Sequence, residues 1–281
     1  VFSASWPTGA GVELPDAACL EFLCGAGEDI VIRKQWPLIV YNVAASLEWV
    51  PEEGSSYAAD LKEGLRRASA YLADLTDGYM VFGPVTIFTG GHNWEGSDLR
   101  FQAANDLRPS AFAGGIVSQT MTYEPPSPPA PNRGLQLIYR PAAVFLGRGW
   151  DRYRDTNSRW QDSDGYRTLV HEWAHYALFL YDEYQRRDGH AIVCTQPDLR
   201  LMPPEEADGY ASAMCWHYTV GELWQITDSE APPTACLDTD QYRVYGEADW
   251  TTLGRWQDVQ GVPSTALRQA SKSSAQELTH T

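Results

Sequence analysis

Residues 171–175 read His-Glu-Trp-Ala-His, which places His171 and His175 four residues apart with Glu172 directly after the first. On an α-helix, residues four apart project from one face, so both imidazoles can bind one metal ion. The spacing predicts zinc, which would lower the pKa of a bound water toward about 7; iron or manganese is open on residue types alone. Glu172 could take the proton of that water and pass it to a leaving amine, so Glu172 is the predicted general base.

A helix must present these side chains, and the flanking sequence predicts one from Ser163 or Asp164 through Ala177. Apolar residues occupy its other faces: Leu169, Val170, Trp173, Ala174 and Ala177. We therefore expect a buried helix whose histidines open into a cleft. The alternative is an ordinary core helix that contains two hydrogen-bonded histidines.

The other elements follow from periodicity and turn residues. The clearest is a helix over 57–75, because apolar residues recur at helical spacing, Ser55 or Ser56 can cap it and Gly78 follows it. Strands are expected at 38–43, at 79–89 with an interruption at 83–84, at 113–121 and at 135–140, and a last helix at 248–257. This order predicts an α+β fold with a mixed, mostly parallel sheet, an antiparallel edge strand, two long helices behind the sheet and an irregular C-terminal lobe.

The segment 171–184, HEWAHYALFLYDEY, resembles a segment of the calcium-activated chloride channel regulator family, whose N-terminal domains are metzincin-like zinc proteases. The family pattern is H-E-x-x-H-x-x-x-G-x-x-D-E. The resemblance implies that Asp182 is the third zinc ligand and that Glu183 either supports Asp182 without binding the metal or replaces it as ligand. The chain departs from the pattern at Phe179, where the family has glycine. The compact, lysine-poor segment favours a bacterial secreted relative.

Later residues extend the resemblance. Ser212-Ala213-Met214 is similar to the Ser-x-Met of a metzincin Met-turn, in which Met214 would form a platform beneath the metal. Cys215, Cys236 and the helix that contains Trp250 are similar to the region that follows in the family. The resemblance implies a zincin or metzincin-like fold in one catalytic domain over 1–263, with an upper lobe at about 36–178 and a lower lobe at about 179–263. Residues 264–281 would be a flexible tail or linker.

The third ligand requires a change of chain direction. In a straight helix Asp182 would lie about 16 Å along the axis from His171, too far for a shared ion. The helix must therefore end soon after His175, yet no glycine occurs in 177–181. Either one residue there accepts strain, or the turn is wider than usual, or the helix continues and another acid serves as ligand. That acid would be Glu206, Glu222 or Glu247.

Two further features concern the substrate. His217 and Tyr218 are candidates to donate hydrogen bonds to a tetrahedral oxyanion or to contact substrate. The expected strand containing Gly114, Gly115, Ile116 and Val117 is the candidate edge to which a peptide substrate could add as a strand.

A calcium site has weaker support. Residues Asp155, Asn157, Asp162 and Asp164 have suitable side chains, but their spacing misses the calcium-loop template. An ordinary solvated loop is the favoured interpretation, and Ca²⁺ is carried only as a second candidate ion.

Charge and cysteines limit the environment. The formal net charge is −16, which disfavours nucleic acid and anionic membrane surfaces as partners, and no apolar run approaches the ~20 residues of a membrane helix. The sequence begins at Val1 without a leader, so we expect a mature or excised segment.

Five cysteines favour an oxidising location: secreted or extracellular, including the cell surface or periplasm. We expect at least one disulfide among Cys194, Cys215 and Cys236, with Cys215 favoured, and Cys19 and Cys24 could form a small loop.

The sequence thus predicts a secreted zinc endopeptidase acting on a peptide or protein, with glycoproteins open as substrates and further domains open as partners. The main alternative is a metal-stabilised, non-catalytic binding or adhesion module, and a third is a zinc amidase acting on a non-peptide amide. Glu172 favours an enzyme, because a protein that only holds zinc does not need a carboxylate at that position.

Overall fold

The computed structural model describes residues 39–124, 136–151, 158–184, 212–218, 220–224 and 234–259, the last segment partly as backbone. The strands are β1 (Ile39–Leu47), β2 (Met80–Phe88), β3 (Leu99–Phe101), β4 (Ser110–Ala111), β5 (Met121–Tyr123), β6 (Leu137–Tyr139) and β7 (Val144–Leu146). The helices are α1 (Tyr57–Leu75), α2 (Ser163–Leu178), α3 (Ala213–Trp216), α4 (Asp240–Tyr245) and α5 (Asp249–Val259), with 3₁₀ turns at Trp94–Gly96 and Thr234–Asp238.

The chain forms two compact units. The first contains Val1–Ser110 and Ala143–Leu169, and the second contains Ala111–Ala142 and Val170–Thr281. The division falls within α2, after its seventh residue, so both histidines of the sequence motif belong to the second unit. The predicted lobes and tail stay predictions.

The main sheet has the strand order β2-β1-β3-β7-β4. β1 pairs in parallel with both β2 and β3, and β3 pairs in parallel with β7. A separate antiparallel pair joins β5 to β6. The fold is therefore α+β with a mostly parallel sheet, as the order of elements predicts.

Helix α1 covers one face of this sheet through contacts with β2. Its leucines at 61, 65 and 72 are almost completely buried, and each contributes about 1.5–3 kcal/mol of apolar burial. The buried Ser69 hydroxyl hydrogen-bonds the backbone N–H and C=O of Phe82, each at 3.1 Å. The predicted bounds of α1 are confirmed, although the Ser56 hydroxyl donates to Asp60 rather than accepting a helix N–H.

Most other predicted elements are present. β1 and β2 lie where strands are expected, β6 lies within 135–140, and α2 and α5 match the predicted helices to within two residues. β2 is one strand through Gly83 and Pro84, but the pairing shifts at that point: Tyr41 and Val43 of β1 pair with Phe82 and Val85, so β2 has one extra residue at the predicted interruption. β3 and β7 were not expected, because three residues are too few to show an alternating pattern. The segment predicted to be irregular contains α3 and α4.

The predicted strand at 113–121 is wrong. Residues 113–116 form a turn in which Gly114 has φ +71°, and only Met121 belongs to a strand. The backbone N–H groups of Gly114 and Ile116 donate to carbonyls at the end of α2, at 2.9 and 3.1 Å. Gly114, Gly115, Ile116 and Val117 therefore do not form an edge strand, because this segment bonds the end of a helix instead.

Within the described residues, no helix is both long and apolar enough to span a membrane.

Candidate metal centre

Three side chains of the second unit converge on one point. The ligand atoms of His171, His175 and Asp182 all lie within 4.8 Å of one another. Asp182 Oδ1 is 3.4 Å from His171 Nε2 and 3.2 Å from His175 Nε2. Both histidines are buried, whereas the Asp182 side chain is 23% exposed. This cluster could hold a metal ion.

The hydrogen bonds around the cluster suit a cation. Nδ1 of His171 lies 3.0 Å from the Ala213 carbonyl oxygen, and Nδ1 of His175 lies 2.7 Å from that of Leu180. A carbonyl can only accept, so each Nδ1 carries a proton, and in the neutral imidazole each Nε2 presents a lone pair. Asp182 Oδ1 is buried and receives no hydrogen bond. Two nitrogen lone pairs and a carboxylate oxygen that face one another fit a metal such as zinc.

Charge at the centre also favours a cation. Burial would lower the pKa of His175, but the Asp182 and Glu172 carboxylates and the Leu180 carbonyl raise it to about 9. Burial would raise the pKa of Asp182, but the two imidazoles hold it well below its usual range. The field that stabilises a proton on His175 would stabilise a metal ion in its place.

Glu172 lies on α2 directly after the first histidine and is 8% exposed. The negative charge of its carboxylate is one of the causes that raise the pKa of His175. It is not a member of the ligand group. A carboxylate beside the ligands, but not among them, can accept a proton from a molecule bound there.

The return of the chain to Asp182 depends on Phe179. Helix α2 ends at Leu178, and Phe179 adopts the left-handed conformation with φ +64°. The next N–H, that of Leu180, bonds the Ala174 carbonyl at 3.2 Å, one residue further back than the 6→1 bond of a Schellman turn. Among the open alternatives, the structure therefore shows the first: one residue accepts strain. It is the residue that stands where the family pattern has glycine.

Contacts from elsewhere in the unit hold Phe179 in this conformation. Its ring packs edge-on against Tyr139, with centroids 5.2 Å apart, and its carbonyl accepts a hydrogen bond from the Tyr245 hydroxyl at 2.9 Å. The Tyr139 and Tyr245 hydroxyls also bond each other. A Cβ on Gly114 would lie 2.6 Å from two carbons of the Phe179 ring. The space that the ring occupies therefore depends on a glycine 65 residues earlier in the sequence.

The segment 212–214 lies against both ligand-bearing segments. Ser212 Oγ accepts the Met214 N–H at 3.0 Å and caps α3, and Met214 is fully buried. The Met214 carbonyl accepts the N–H of Glu183, the buried residue after Asp182, at 3.1 Å. Together with the bond from His171 to Ala213, this contact brings the predicted Met-turn next to the cluster.

The remaining candidates are two possible substrate contacts, His217 and Tyr218, and the alternative acidic ligands. The His217 ring stacks on His171 with centroids 4.5 Å apart, and Tyr218 follows at 4.1 Å from His217. Among the described residues the ligand group includes neither Glu222 nor Glu247, whose carboxylate accepts from Thr252 at 3.1 Å. Glu206 lies outside the described residues. The roles of His217 and Tyr218 stay predictions.

Only some of the residues in the cysteine and calcium predictions lie in the described part of the chain. Cys215 is a free, buried thiol, so its expected disulfide is wrong. Cys236 is disulfide-bonded, and its partner lies outside the described residues, as do Cys19, Cys24 and Cys194. Asp155 and Asn157 also lie outside them. Asp162 accepts the Arg159 N–H at 3.0 Å, and Asp164 lies in the first turn of α2.

Sequence reasoning missed three residues of the second unit. They are Tyr245, which fixes the turn; Gln241, which accepts the Tyr181 N–H at 2.9 Å; and Asp249, which accepts from the Ser212 hydroxyl and the Trp224 N–H. None has a spacing that ties it to residues 171–175. The Gly114–Gly115 pair was a visible signal, but it indicates close approach of another backbone without identifying which one.

Comparison with known proteins finds no family model, no curated protein and no solved structure that matches this chain.

Proposed function

We propose that the chain is a secreted zinc-dependent endopeptidase in which Glu172 is the general base. The observation that carries the proposal is the convergence of His171 Nε2, His175 Nε2 and Asp182 Oδ1, with Glu172 as the buried residue that follows His171 on α2. The metzincin-like interpretation of the fold is part of this proposal and derives from the resemblance at 171–184.

The number of protein ligands supports a catalytic centre. Structural zinc sites are almost always closed by four cysteine or histidine ligands, whereas catalytic sites have three protein ligands and one open position. The described residues offer three ligands, and one of them is a partly exposed carboxylate. A zinc ion held there would supply a Lewis acid that polarises a carbonyl and activates water near neutral pH.

The side chains of this chain divide the remaining work. His171 and His175 are fixed by their Nδ1 hydrogen bonds, so no ring reorientation is needed during the reaction. Asp182 contributes the negative charge. Glu172 would accept a proton from the attacking water and donate it to the leaving amine, a role worth about 10²–10⁴-fold in rate.

The test is the variant Glu172→Gln, which keeps the size of the side chain but cannot accept a proton. We expect zinc to bind with one ion per chain, as in the wild type, while kcat/KM on a mixed peptide library falls about 10²–10⁴-fold. Glu53→Gln, at an exposed position in the first unit, is the matched control and should retain full activity. Chelation should abolish wild-type cleavage, and added zinc should restore it.

The outcomes separate the alternatives. Equal cleavage by wild type and Glu172→Gln contradicts the assigned base. If zinc binds but the wild type cleaves no peptide in the library, the endopeptidase proposal is wrong, and a binding module or an amidase is indicated. In Asp182→Ala, unchanged zinc affinity and stoichiometry would show that this residue is not a ligand.

A further inference from the structure

Asp249 is a fully buried carboxylate to which the proposed reaction assigns no role. It is the first residue of α5, and its Oδ2 accepts two hydrogen bonds, from Ser212 Oγ at 2.7 Å and from the Trp224 N–H at 3.1 Å. Two chain segments that are distant from α5 in sequence are therefore tied to a single carboxylate oxygen.

A continuous series of hydrogen bonds connects this carboxylate to the metal centre. Ser212 Oγ donates its proton to Asp249. This bond directs the lone pairs of Ser212 Oγ toward the Met214 N–H, 3.0 Å away. This bond fixes the backbone on both sides of Ala213, whose carbonyl accepts from Nδ1 of His171 at 3.0 Å. The adjoining Met214 carbonyl accepts the N–H of Glu183.

Burial makes this arrangement costly, and the hydrogen bonds offset part of the cost. Burial raises the pKa of Asp249, while the bonds from Ser212 and Trp224 and the positive field of the two ligand histidines oppose that rise. If the carboxylate were removed, the Ser212 hydroxyl and the Trp224 N–H would lose their acceptor in a buried environment. Buried donors without an acceptor destabilise the local backbone, so the segment 212–214 would shift to find new partners.

We propose that Asp249 is a positioning residue of the metal centre: through Ser212 it holds the Ala213 carbonyl on Nδ1 of His171. The carbonyl fixes the tautomer and orientation of the imidazole, and both determine how well Nε2 binds a metal ion. The inference rests on the metal-binding part of the proposed function and is independent of peptidase activity.

The test compares variants that break the series with variants that preserve it. Ser212→Ala removes the hydroxyl that links Asp249 to the segment, while Asp249→Asn retains an oxygen that can accept both hydrogen bonds. Matched controls come from the first unit: Ser69→Ala removes another fully buried hydroxyl, and Asp98→Asn alters another buried carboxylate that accepts a backbone N–H. Zinc affinity is measured by competition with a chromogenic chelator, the ligand field by the visible spectrum of the Co²⁺-loaded protein, and stability by urea unfolding without metal.

We expect Ser212→Ala to weaken zinc binding about 10–100-fold and to change the Co²⁺ spectrum. Asp249→Asn should stay within about threefold of wild-type affinity, and Ser212→Thr, which retains a hydroxyl, should restore the wild-type spectrum. Both controls should lower stability without changing zinc affinity or spectrum.

Three results would overturn the proposal. They are wild-type zinc affinity and spectrum in Ser212→Ala, an equal loss of affinity in Ser69→Ala, or wild-type zinc affinity and spectrum in a folded Asp249→Ala protein, which lacks the acceptor of both hydrogen bonds. The last result applies even if Ser212→Ala does not fold. A wild-type protein that binds zinc but cleaves no peptide would contradict the endopeptidase proposal and leave this one intact.

Discussion

Helices α1 and α2 both end next to a residue with left-handed backbone geometry, but different interactions hold the two ends. After α1, Asp77 has φ +50° and Gly78 has φ +80°, both are exposed, and the Gly78 N–H bonds the Ala73 carbonyl at 2.7 Å. After α2, the left-handed residue is Phe179, which is 1% exposed. The first end uses residue types that adopt positive φ readily, and the second uses one that does not.

The difference shows two ways to stop a helix. At α1 the stop is local, because glycine tolerates positive φ without help from distant residues. At α2 the strain of about 1–3 kcal/mol at Phe179 must be offset by tertiary contacts, here with Tyr139, Tyr245 and the space at Gly114. The second turn leads directly to Asp182 of the candidate metal centre, so breaking it should affect both stability and metal binding.

The largest effect is expected from Phe179→Ala. Loss of a buried ring should lower the free energy of unfolding by about 4 kcal/mol and weaken zinc binding, because Leu180 and Asp182 follow the turn. Phe179→Gly loses the same ring but relieves the positive φ, so it should be the more stable of the two by about 1 kcal/mol. Urea unfolding checks the order. Greater stability of Phe179→Ala would show that φ strain at this position is negligible.

Gly114→Ala should have the next largest effect. The new methyl group would lie 2.6 Å from the Phe179 ring at a position with φ +71°, so we expect a loss of about 3 kcal/mol together with weaker zinc binding. Gly78→Ala is the control, because Gly78 also has positive φ (+80°) but no atom lies within 4 Å of the added carbon. It should lower the free energy of unfolding by about 1 kcal/mol. Equal losses in the two variants would contradict the proposed dependence on the ring.

Tyr245→Phe should have a smaller effect, because it removes a single hydroxyl. The Phe179 carbonyl loses its donor in a buried environment, and we expect a loss of about 1–2 kcal/mol with a measurable fall in zinc affinity. Tyr57→Phe is the control. In the wild type, the Tyr57 hydroxyl donates to the Arg148 carbonyl in the first unit, and this hydrogen bond is exposed to solvent. Calorimetric zinc titration distinguishes the two, since only Tyr245→Phe should change the affinity.

Asp77→Gly should have the smallest effect. It replaces a non-glycine residue at φ +50° in the exposed turn after α1, so stability should change by less than about 1 kcal/mol, in the stabilising direction. Zinc affinity should equal that of the wild type. A loss of zinc affinity would mean that the end of α1 is coupled to the metal centre.

Periodicity in the sequence was sufficient for the longer elements. α1 buries one face at intervals of three and four residues, and α2 carries apolar residues on both sides of its histidines; both features are visible without any tertiary information. The strand predicted at 113–121 is wrong because the apolar run there satisfies the strand pattern, while its amide groups bond the end of α2. Hydrogen bonds between distant backbone groups leave no trace in residue type, because every residue carries the same donor and acceptor.

The spacing of His171, Glu172 and His175 is enough to place them in one region of a helix, since 3.6 residues per turn fixes that arrangement locally. The approach of Asp182 depends on tertiary packing instead. Residues 176–182 contain no glycine, and Phe179 adopts positive φ because contacts contributed by Gly114, Tyr139 and Tyr245 compensate its strain. Helical spacing is a property of neighbouring residues, whereas a strained turn depends on packing from segments that are distant in the chain.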